Sequence, residues 1–383
     1  MELLSVVWLF LSIILCETKK FSSIIPEDEA EKILANSDDD LNLLFTGDPQ
    51  YHFPCTLINS QCKKKSEACR RKNGLDFDHH KQRRDGLQPS EIQELEHECI
   101  RLESEFSNEV QRKSIFDLNR KMANKPKALI INGDLTNFGH IYQLNKFKEQ
   151  WLTLPIPILA GLGNHDYENN VDDCVANQCA NTMLYWFVRQ YAKTNNLSLD
   201  YKKSNEHIWK TTYAGSFAYS TNICNDNETT CVHSIQLNNR PDYAASISSA
   251  SQWHVHGSFQ WLTRDLESIS NRSWPVLINL HHLSQNASLR LKSTLEHWMG
   301  REENKDILRK VMVLYAHFHE NHVVQMKCVG GVTIPYIFVG SVPNNRYTNI
   351  KFNTNGAEIF LLQSNANSTT SIMQRIDFQW KPC

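Results

Sequence analysis

The chain has 383 residues, 41% hydrophobic and 21% charged, an ordinary globular composition with length for one large domain or two ordinary ones. Its formal net charge is −2, which removes any electrostatic case for nucleic acid or an anionic membrane surface as a partner.

Residues 3–15 form an apolar run that stops at Cys16 and Glu17. The run is short for a bilayer span and has the length of a signal-peptide core, so residues 1–16 are expected to be a cleaved signal peptide. Glu2, the lack of Lys or Arg ahead of the run, and Ile14 at the −3 position leave an uncleaved anchor as the second reading. No other stretch is apolar enough to cross a membrane, and no lipid-anchor tail or retention signal is expected at the C-terminus. Without Cys16 the 11 cysteines become an even set. They fall in groups: Cys55, Cys62, Cys69 and Cys99; Cys174 and Cys179; Cys224 and Cys231; Cys328 and Cys383. Close pairs on loops suit disulfides in an oxidising compartment; buried free thiols are the competing explanation. Five sequons, at Asn196, Asn227, Asn271, Asn286 and Asn367, favour export. A secreted glycoprotein is expected, extracellular or in a lysosome-like or other secretory-pathway compartment.

Residues 41–46 read as the first core strand, followed by a turn through Gly47, Asp48, Pro49 and Gln50. Residues 52–88 are irregular, with three cysteines and basic runs expected to be solvated. A capping box at Pro89–Gln93 starts a long helical pattern from Leu95 to Leu118, with room for one break. Residues 128–132 predict a second buried strand, ending at Gly133 and Asp134. A helix over 141–152 leads to a third strand over 154–160, and then to Gly161-Leu162-Gly163-Asn164-His165-Asp166. Alternation of strand, helix and strand argues for an α/β core whose strand ends bind the ligand. Further strands are expected at 213–219 and 232–237, and a helix opens at Phe259. A strand over 275–280 ends at His281 and His282. Helices near 289–298 and 305–310 precede a strand over 311–315, which ends at Ala316-His317-Phe318-His319. From Val323 the chain reads as antiparallel strands. No repeat, linker or second domain is apparent, so residues 17–383 are expected to be one domain.

Five apolar strands thus end in residues that can bind metal: Asp48 with Gln50, Asp134, Asn164 with His165, His281 with His282, and His317 with His319. A lone Asp or His at a strand end is more often structural than a ligand. Five such ends are hard to explain by packing, because a core gains nothing from so many desolvated polar groups. Carboxylate, amide and imidazole together suit a pair of divalent or trivalent ions such as Mn, Fe or Zn. Two decoys compete. Asp78-His79-His80 is a D-x-H sequence, but it follows a charged segment rather than an apolar strand. His254-Val255-His256 reads as a surface or substrate-rim loop.

The ordered blocks Asp48-Pro49-Gln50, Gly133-Asp134, Gly163-Asn164-His165-Asp166, His281 and Ala316-His317-Phe318-His319 resemble the calcineurin-like metallophosphoesterase superfamily, which includes purple acid phosphatases. The resemblance covers about residues 41 to 350. It implies a four-layer αββα sandwich: two mixed β-sheets flanked by helices, with a cysteine-containing insertion at about 49–125 framing the site. It implies two metals, one held by Asp48, Gln50, Asp134 and His319, the other by Asp134, Asn164, His281 and His317, with Asp134 bridging. A metal-bridging hydroxide would attack phosphorus. His165 would stabilise charge or protonate the leaving alkoxide, with Asp166 orienting its ring. His282 would contact substrate. The chain departs from the family pattern at Gln50, where His is usual, and at Ala316, where Gly is usual. The implied activity is hydrolysis of small-molecule or lipid phosphate esters. The alternatives are a phosphodiesterase acting on nucleotides or lipid head groups, and a secreted binding protein on a degenerate scaffold.

Overall fold

The structure is a computed structural model that describes residues 34, 40–52, 68–69, 89–172, 174–207, 210–304, 307–354 and 356–383. The predicted signal peptide and the Asp78-His79-His80 decoy lie outside the described residues. In chain order the strands are β1 Leu41–Thr46, β2 Ala128–Ile131, β3 Ile158–Ala160, β4 Leu197–Leu199, β5 Lys202–His207, β6 Lys210–Gly215, β7 Tyr219–Cys224, β8 Cys231–Gln236 and β9 Ala245–Ser248. They continue with β10 Gln252–Val255, β11 Val276–Asn279, β12 Val311–Tyr315, β13 Val324–Val329, β14 Val332–Phe338, β15 Arg346–Phe352, β16 Ala357–Ser364 and β17 Thr370–Phe378. The helices are α1 Pro89–Lys121, α2 Ile141–Trp151, α3 Gln178–Tyr191, α4 Phe259–Ser268 and α5 Gln285–Met299.

One mixed sheet runs in the order β17-β16-β15-β1-β2-β3, and a second in the order β13-β14-β12-β11-β8-β7-β4. The central strands of each are parallel and end level: Thr46 lies beside Ile131, Ile131 beside Ala160, and Asn279 beside both Gln236 and Leu314. That register brings the polar residues after β1, β2, β3, β11 and β12 out at the strands' carboxyl ends. A separate sheet, β5-β6-β10-β9, was not anticipated in the sequence.

The central strands β1, β2, β11 and β12 are buried along their whole length and mostly apolar, because both of their faces are covered. On β1, Leu43 and Phe45 meet Leu277, Met312 and Leu314 of the opposite sheet, whereas Leu44 turns outward to Ile115 of α1 and Phe147 of α2. On the far side, Ile278 and Val313 pack against Leu262 of α4 and Leu291 of α5. The result is the expected αββα layering. Each such fully buried Leu, Ile or Phe contributes about 1.5–3 kcal/mol of transfer free energy.

Several elements differ from expectation. The third strand begins at Ile158, not at residue 154, because Pro155 and Pro157 have no N–H to give a sheet ladder. Helix α1 runs 33 residues without a break. The stretch predicted as one strand over 213–219 divides at 216–218, where Phe217 has φ 55°. Residues 307–310 are not helical, and a short 3-10 turn at Glu302–Asn304 stands before them instead. Disulfides join Cys69 to Cys99, Cys174 to Cys179, Cys224 to Cys231 and Cys328 to Cys383.

Candidate metal centre

The backbone after β1 and the backbone after β2 run side by side past the ends of their strands. Asp48 N–H donates to Gly133 O at 3.0 Å, Gln50 N–H to Asp134 O at 2.7 Å, and Asn137 N–H to Tyr51 O at 3.1 Å. Holding them there needs unusual dihedrals. Asp48 has φ 56°, Gln50 33°, Asp134 54° and His317 71°, all in the left-handed region that costs a side-chain-bearing residue about 1–3 kcal/mol. Glycines take the tightest places. A Cβ on Gly163 would collide with Asp134 Oδ1, and Gly133, at φ 81°, lies against the Gly163 backbone. A Cβ on Gly47 would collide with the methyl of Ala316, so the alanine that departs from the family pattern fills space that Gly47 leaves open.

Asp134, His281 and His317 form one cluster. His281 Nε2 lies 3.1 Å from Asp134 Oδ2, 3.0 Å from Asn164 Oδ1 and 3.2 Å from His317 Nδ1. Its other nitrogen, Nδ1, faces Asn132 O at 2.8 Å; a carbonyl only accepts, so the proton sits on Nδ1 and Nε2 is turned to the cluster. Burial pulls the His281 pKa down, but the carboxylates of Asp134 and Asp48 outweigh it and hold it up at about 9. His317 moves the other way, down to about 3, through burial and then the neighbouring His281 and His282. Burial raises the Asp134 pKa, yet His281 outweighs it and holds the carboxyl down at about 2. The ligand-type atoms of Asp134, His281 and His317 thus all lie within 4.8 Å of one another, with opposite shifts on the two imidazoles.

Asp48 is fully buried, and neither carboxylate oxygen has a hydrogen-bond donor among the described residues. Its nearest cationic neighbours are His319 Nε2 at 3.4 Å and His281 Nδ1 at 4.0 Å, too long or too poorly aimed to satisfy it. Burial lowers the His319 pKa, and Asp48 more than reverses it, so the net shift is upward. Gln50 is fully buried as well. Its amide nitrogen donates to Asn137 Oδ1 at 3.4 Å, and its Oε1 has no donor among the described residues. A buried carboxylate and a buried amide oxygen without donors, beside imidazoles, are a donor set that a cation would satisfy.

His165 lies at this centre on a single π-type turn, Asn164–Glu168. Its N–H donates to Asp134 Oδ1 at 2.9 Å, and its ring Nδ1 lies 2.9 Å from Asn137 O. The ring is thus oriented by the Asn137 carbonyl. Asp166, expected in that role, turns elsewhere. Its carboxylate accepts from the N–H groups of Gly163, Leu135 and Thr136 and from Thr136 Oγ1, at 2.9–3.1 Å. Burial and the charge of Asp134 push its pKa up to about 7, against those donors. Asp166 therefore clamps the Asp134 loop to the Gly163 loop. The half-buried ring of His282 stacks on His317 with centroids 4.0 Å apart, so it lies at the edge of the cluster.

All ten sequence-selected side chains gather around this centre, and a further set supports them. Asn238 Oδ1 accepts from Leu162 N–H at 3.0 Å, and Asn239 O accepts from His282 N–H at 3.1 Å. The His319 carbonyl is held by Ser341 Oγ at 2.8 Å and Asn344 Nδ2 at 2.6 Å. Asn137, Ser341 and Asn344 carried no signal in the sequence. Of the other histidine pair, His254 lies on β10, an inner strand of the separate sheet rather than a loop, where its Nδ1 faces Ser246 Oγ at 3.3 Å, and His256 follows the strand. His140 lies near Cys174 and Cys179, but those sulfurs are joined to each other and offer no thiolate.

The family described as calcineurin-like phosphoesterase matches residues 41–321. A comparison with curated proteins found no match. Among solved structures, a purple acid phosphatase from yellow lupin (Lupinus luteus) seeds is 11% identical with a TM-score of 0.44, covering 86% of this chain and 52% of its own. A sulfate thiohydrolase, SoxB, from Thermus thermophilus is 10% identical with a TM-score of 0.44, covering 88% of this chain and 59% of its own. The chain thus spans little more than half the length of these structures.

Proposed function

The chain belongs to the calcineurin-like phosphoesterase family, metal-dependent hydrolases of phosphoric ester bonds, and we propose that it acts through two metal ions held at the centre described above. Asp48, Gln50, Asp134 and His319 would hold one ion, and Asp134, Asn164, His281 and His317 the other, with Asp134 shared. The ions are Mn, Fe or Zn by the chemistry of the donors. The observation that carries the reading is Asp48: a fully buried carboxylate with no hydrogen-bond donor among the described residues, beside Asp134 and three imidazoles. Without a cation that arrangement leaves both buried oxygens of Asp48 with no aligned hydrogen-bond donor among the described residues.

When bound, such a pair supplies Lewis-acid stabilisation of phosphoryl oxygens and hydroxide near neutral pH. The chain's own residues do the rest. Asn137 O fixes the His165 ring by its Nδ1 proton, which leaves Nε2 to exchange a proton with the leaving-group oxygen. Asp166 keeps the Asp134 and Gly163 loops in register, so that His165 N–H stays on Asp134 Oδ1. His282, stacked on His317, is placed to meet the substrate's rim. Gln50 supplies a neutral oxygen where an imidazole is usual, so the ion on the Asp48 side is held more weakly than its partner.

Secretion is part of the proposal. It is supported by four disulfides among the described residues and by the sequons. No helix among the described residues is long and apolar enough to cross a membrane.

The test is metal analysis of the purified chain, followed by hydrolysis of an aryl phosphate and an aryl phosphodiester with Mn, Fe or Zn supplied. Turnover of either supports the reading, and their ratio separates monoesterase from diesterase. Failure on both, with metal bound, would favour a binding protein on the same scaffold.

A further inference from the structure

A cavity of about 370 Å³ lies at the end of the second sheet opposite the metal centre. β11 runs from Val276 to Asn279 and then to His281, whereas Asn271 and Trp274, which line the cavity, precede its first residue. Val276 pairs with His233 of β8, His233 with Asn222 of β7, and Ser220 of β7 with Ser198 of the edge strand β4. The floor of the cavity is satisfied within itself. His233 Nδ1 faces Asn222 Oδ1 at 2.7 Å, its Nε2 faces Asp265 Oδ2 of α4 at 2.9 Å, and Asp265 Oδ1 accepts from Ser220 Oγ at 2.6 Å. The rim differs. Asn196 before β4 and Asn271 after α4 both begin sequons, so one cavity brings together two of the five. Both are exposed, as are Ser198 and Ser270, and the half-buried Trp274 completes the rim. Trp274 makes no ring contact among the described residues. Asn271 Oδ1 accepts from Ser273 N–H at 3.2 Å and from Ser273 Oγ at 2.7 Å, and Asn271 O accepts from Trp274 N–H at 3.4 Å. With Oδ1 held to the chain, Nδ2 is the end of that amide available for attachment.

We propose that Asn271 carries an N-linked glycan whose first sugars lie in this cavity, with an N-acetylhexosamine ring against the face of Trp274. The covalent step is transfer from a lipid-pyrophosphate-linked oligosaccharide: Asn271 Nδ2 loses a proton and bonds to C1 of the sugar, and the lipid pyrophosphate leaves with the C1–O electron pair. The folded structure decides where the attached sugars go. A pyranose has an apolar face of C–H groups, which an uncovered indole can pack against, and a rim of hydroxyls, which the serine hydroxyls and the Asn196 amide can meet as donors and acceptors. No charge is required of the occupant, because the His233–Asp265 pair beneath is already matched. The cavity volume is in the range of small-ligand sites. The glycan would tie the segment between α4 and β11 to the edge strand β4. The inference rests on the secretory reading and is independent of hydrolysis.

The experiment follows enzymatic release of glycans by peptide N-glycosidase from the full chain secreted by animal cells, read site by site by mass spectrometry of the peptides. Asn227 is the comparator. It is exposed in the turn between β7 and β8, outside this cavity, and its Oδ1 accepts from Thr229 Oγ1 at 2.7 Å, as Asn271 Oδ1 does from Ser273. From the native protein the Asn271 glycan should be released about tenfold more slowly than the Asn227 glycan, the bias that one ring contact gives to the equilibrium between seated and lifted sugars. After denaturation the two rates should be equal. Trp274→Ala leaves the sequon Asn271-Arg272-Ser273 intact and should bring the native Asn271 rate up to that of Asn227, whereas Trp274→Phe, which keeps a ring, should preserve the protection. Equal native rates at the two sites in the unsubstituted chain overturn the inference, as does protection undiminished in Trp274→Ala. A bare Asn271 beside occupied sequons elsewhere overturns it while leaving the secretory reading standing. A chain bare at all five sequons overturns both.

Discussion

At the residue scale, the roles of His165 and Asp166 separate cleanly. The ring of His165 is oriented by a backbone carbonyl, and its N–H reaches Asp134. Replacing it with alanine removes the ring but leaves the N–H and the neighbouring donors in place. His165→Ala is therefore expected to lower kcat by about 10²–10⁴, the usual worth of a positioned acid or base, with metal content unchanged. Metal analysis beside steady-state kinetics checks this, and loss of metal would show that the residue holds an ion instead. His322 gives a pH dependence outside the centre. Its Nε2 lies 3.2 Å from Thr348 Oγ1, and burial, then Arg346, pull its pKa from the ordinary 6.5 down to about 3. A depressed histidine pKa means that the unfolded chain takes up a proton the folded chain refuses. Its stabilising contribution is present above pH 6.5 and is lost as pH falls towards 3. His322→Gln should shrink the drop in Tm between pH 7 and pH 5, measured by thermal melts; an unchanged drop would assign the acid sensitivity elsewhere.

At the element scale, α1 supports the Asp48 loop with a buried polar face. Asn108 Nδ2 donates to Pro49 O at 2.7 Å, and its Oδ1 accepts from Trp151 Nε1 of α2 at 2.8 Å. Gln111 adds a bond to Thr46 Oγ1 at 2.7 Å. Asn108→Ala would leave a buried carbonyl and a buried indole N–H without partners, a loss of about 1–3 kcal/mol each before relaxation. Denaturant unfolding should show a destabilisation of that order, with weakened metal retention because Pro49 stands between Asp48 and Gln50. These two links show what the sequence could and could not reveal. Apolar runs ending in Asp, Asn or His made β1, β2, β3, β11 and β12 and their terminal residues readable, because burial on both faces and a polar stop leave a mark in residue types. The left-handed backbone at Asp48, Asp134 and His317 left none, since no glycine stands there to signal it. Asn137 acts through its carbonyl, which every residue has. Asp166 sits beside His165 in the chain, yet it bonds to backbone groups of another loop. The face of α1 that meets Pro49 is polar, so hydrophobic periodicity passed over it. The β5-β6-β10-β9 sheet is built from short, mixed-polarity strands that carry a weak periodic signal.

At the scale of the whole molecule, the candidate metal centre lies where the two sheets, their connecting loops and α1 meet. Residues from β1, β2, β3, β11 and β12 ends all converge there, and backbone contacts such as Val342 N–H to Gly47 O at 3.1 Å and Ala316 N–H to His281 O at 3.0 Å cross between them. The folded chain brings together two buried carboxylates, Asp48 and Asp134, and several left-handed residues whose cost the rest of the fold must offset. A cation bound only by the folded state stabilises it by mass action, by about 2.7 kcal/mol at a hundredfold excess over Kd. Chelation should therefore lower Tm, and resupply of Mn, Fe or Zn should restore it. A general effect of the chelator on the fold predicts the same first result, so the comparison variant matters. Asp48→Asn keeps the shape of the side chain and removes one of the two carboxylates that make the centre attractive to cations. In that variant the gap in Tm between loaded and chelated protein should narrow, and bound metal should fall. An undiminished gap with unchanged metal content would show that Asp48 is a structural carboxylate and that the ions are held by Asp134, Asn164 and the histidines without it.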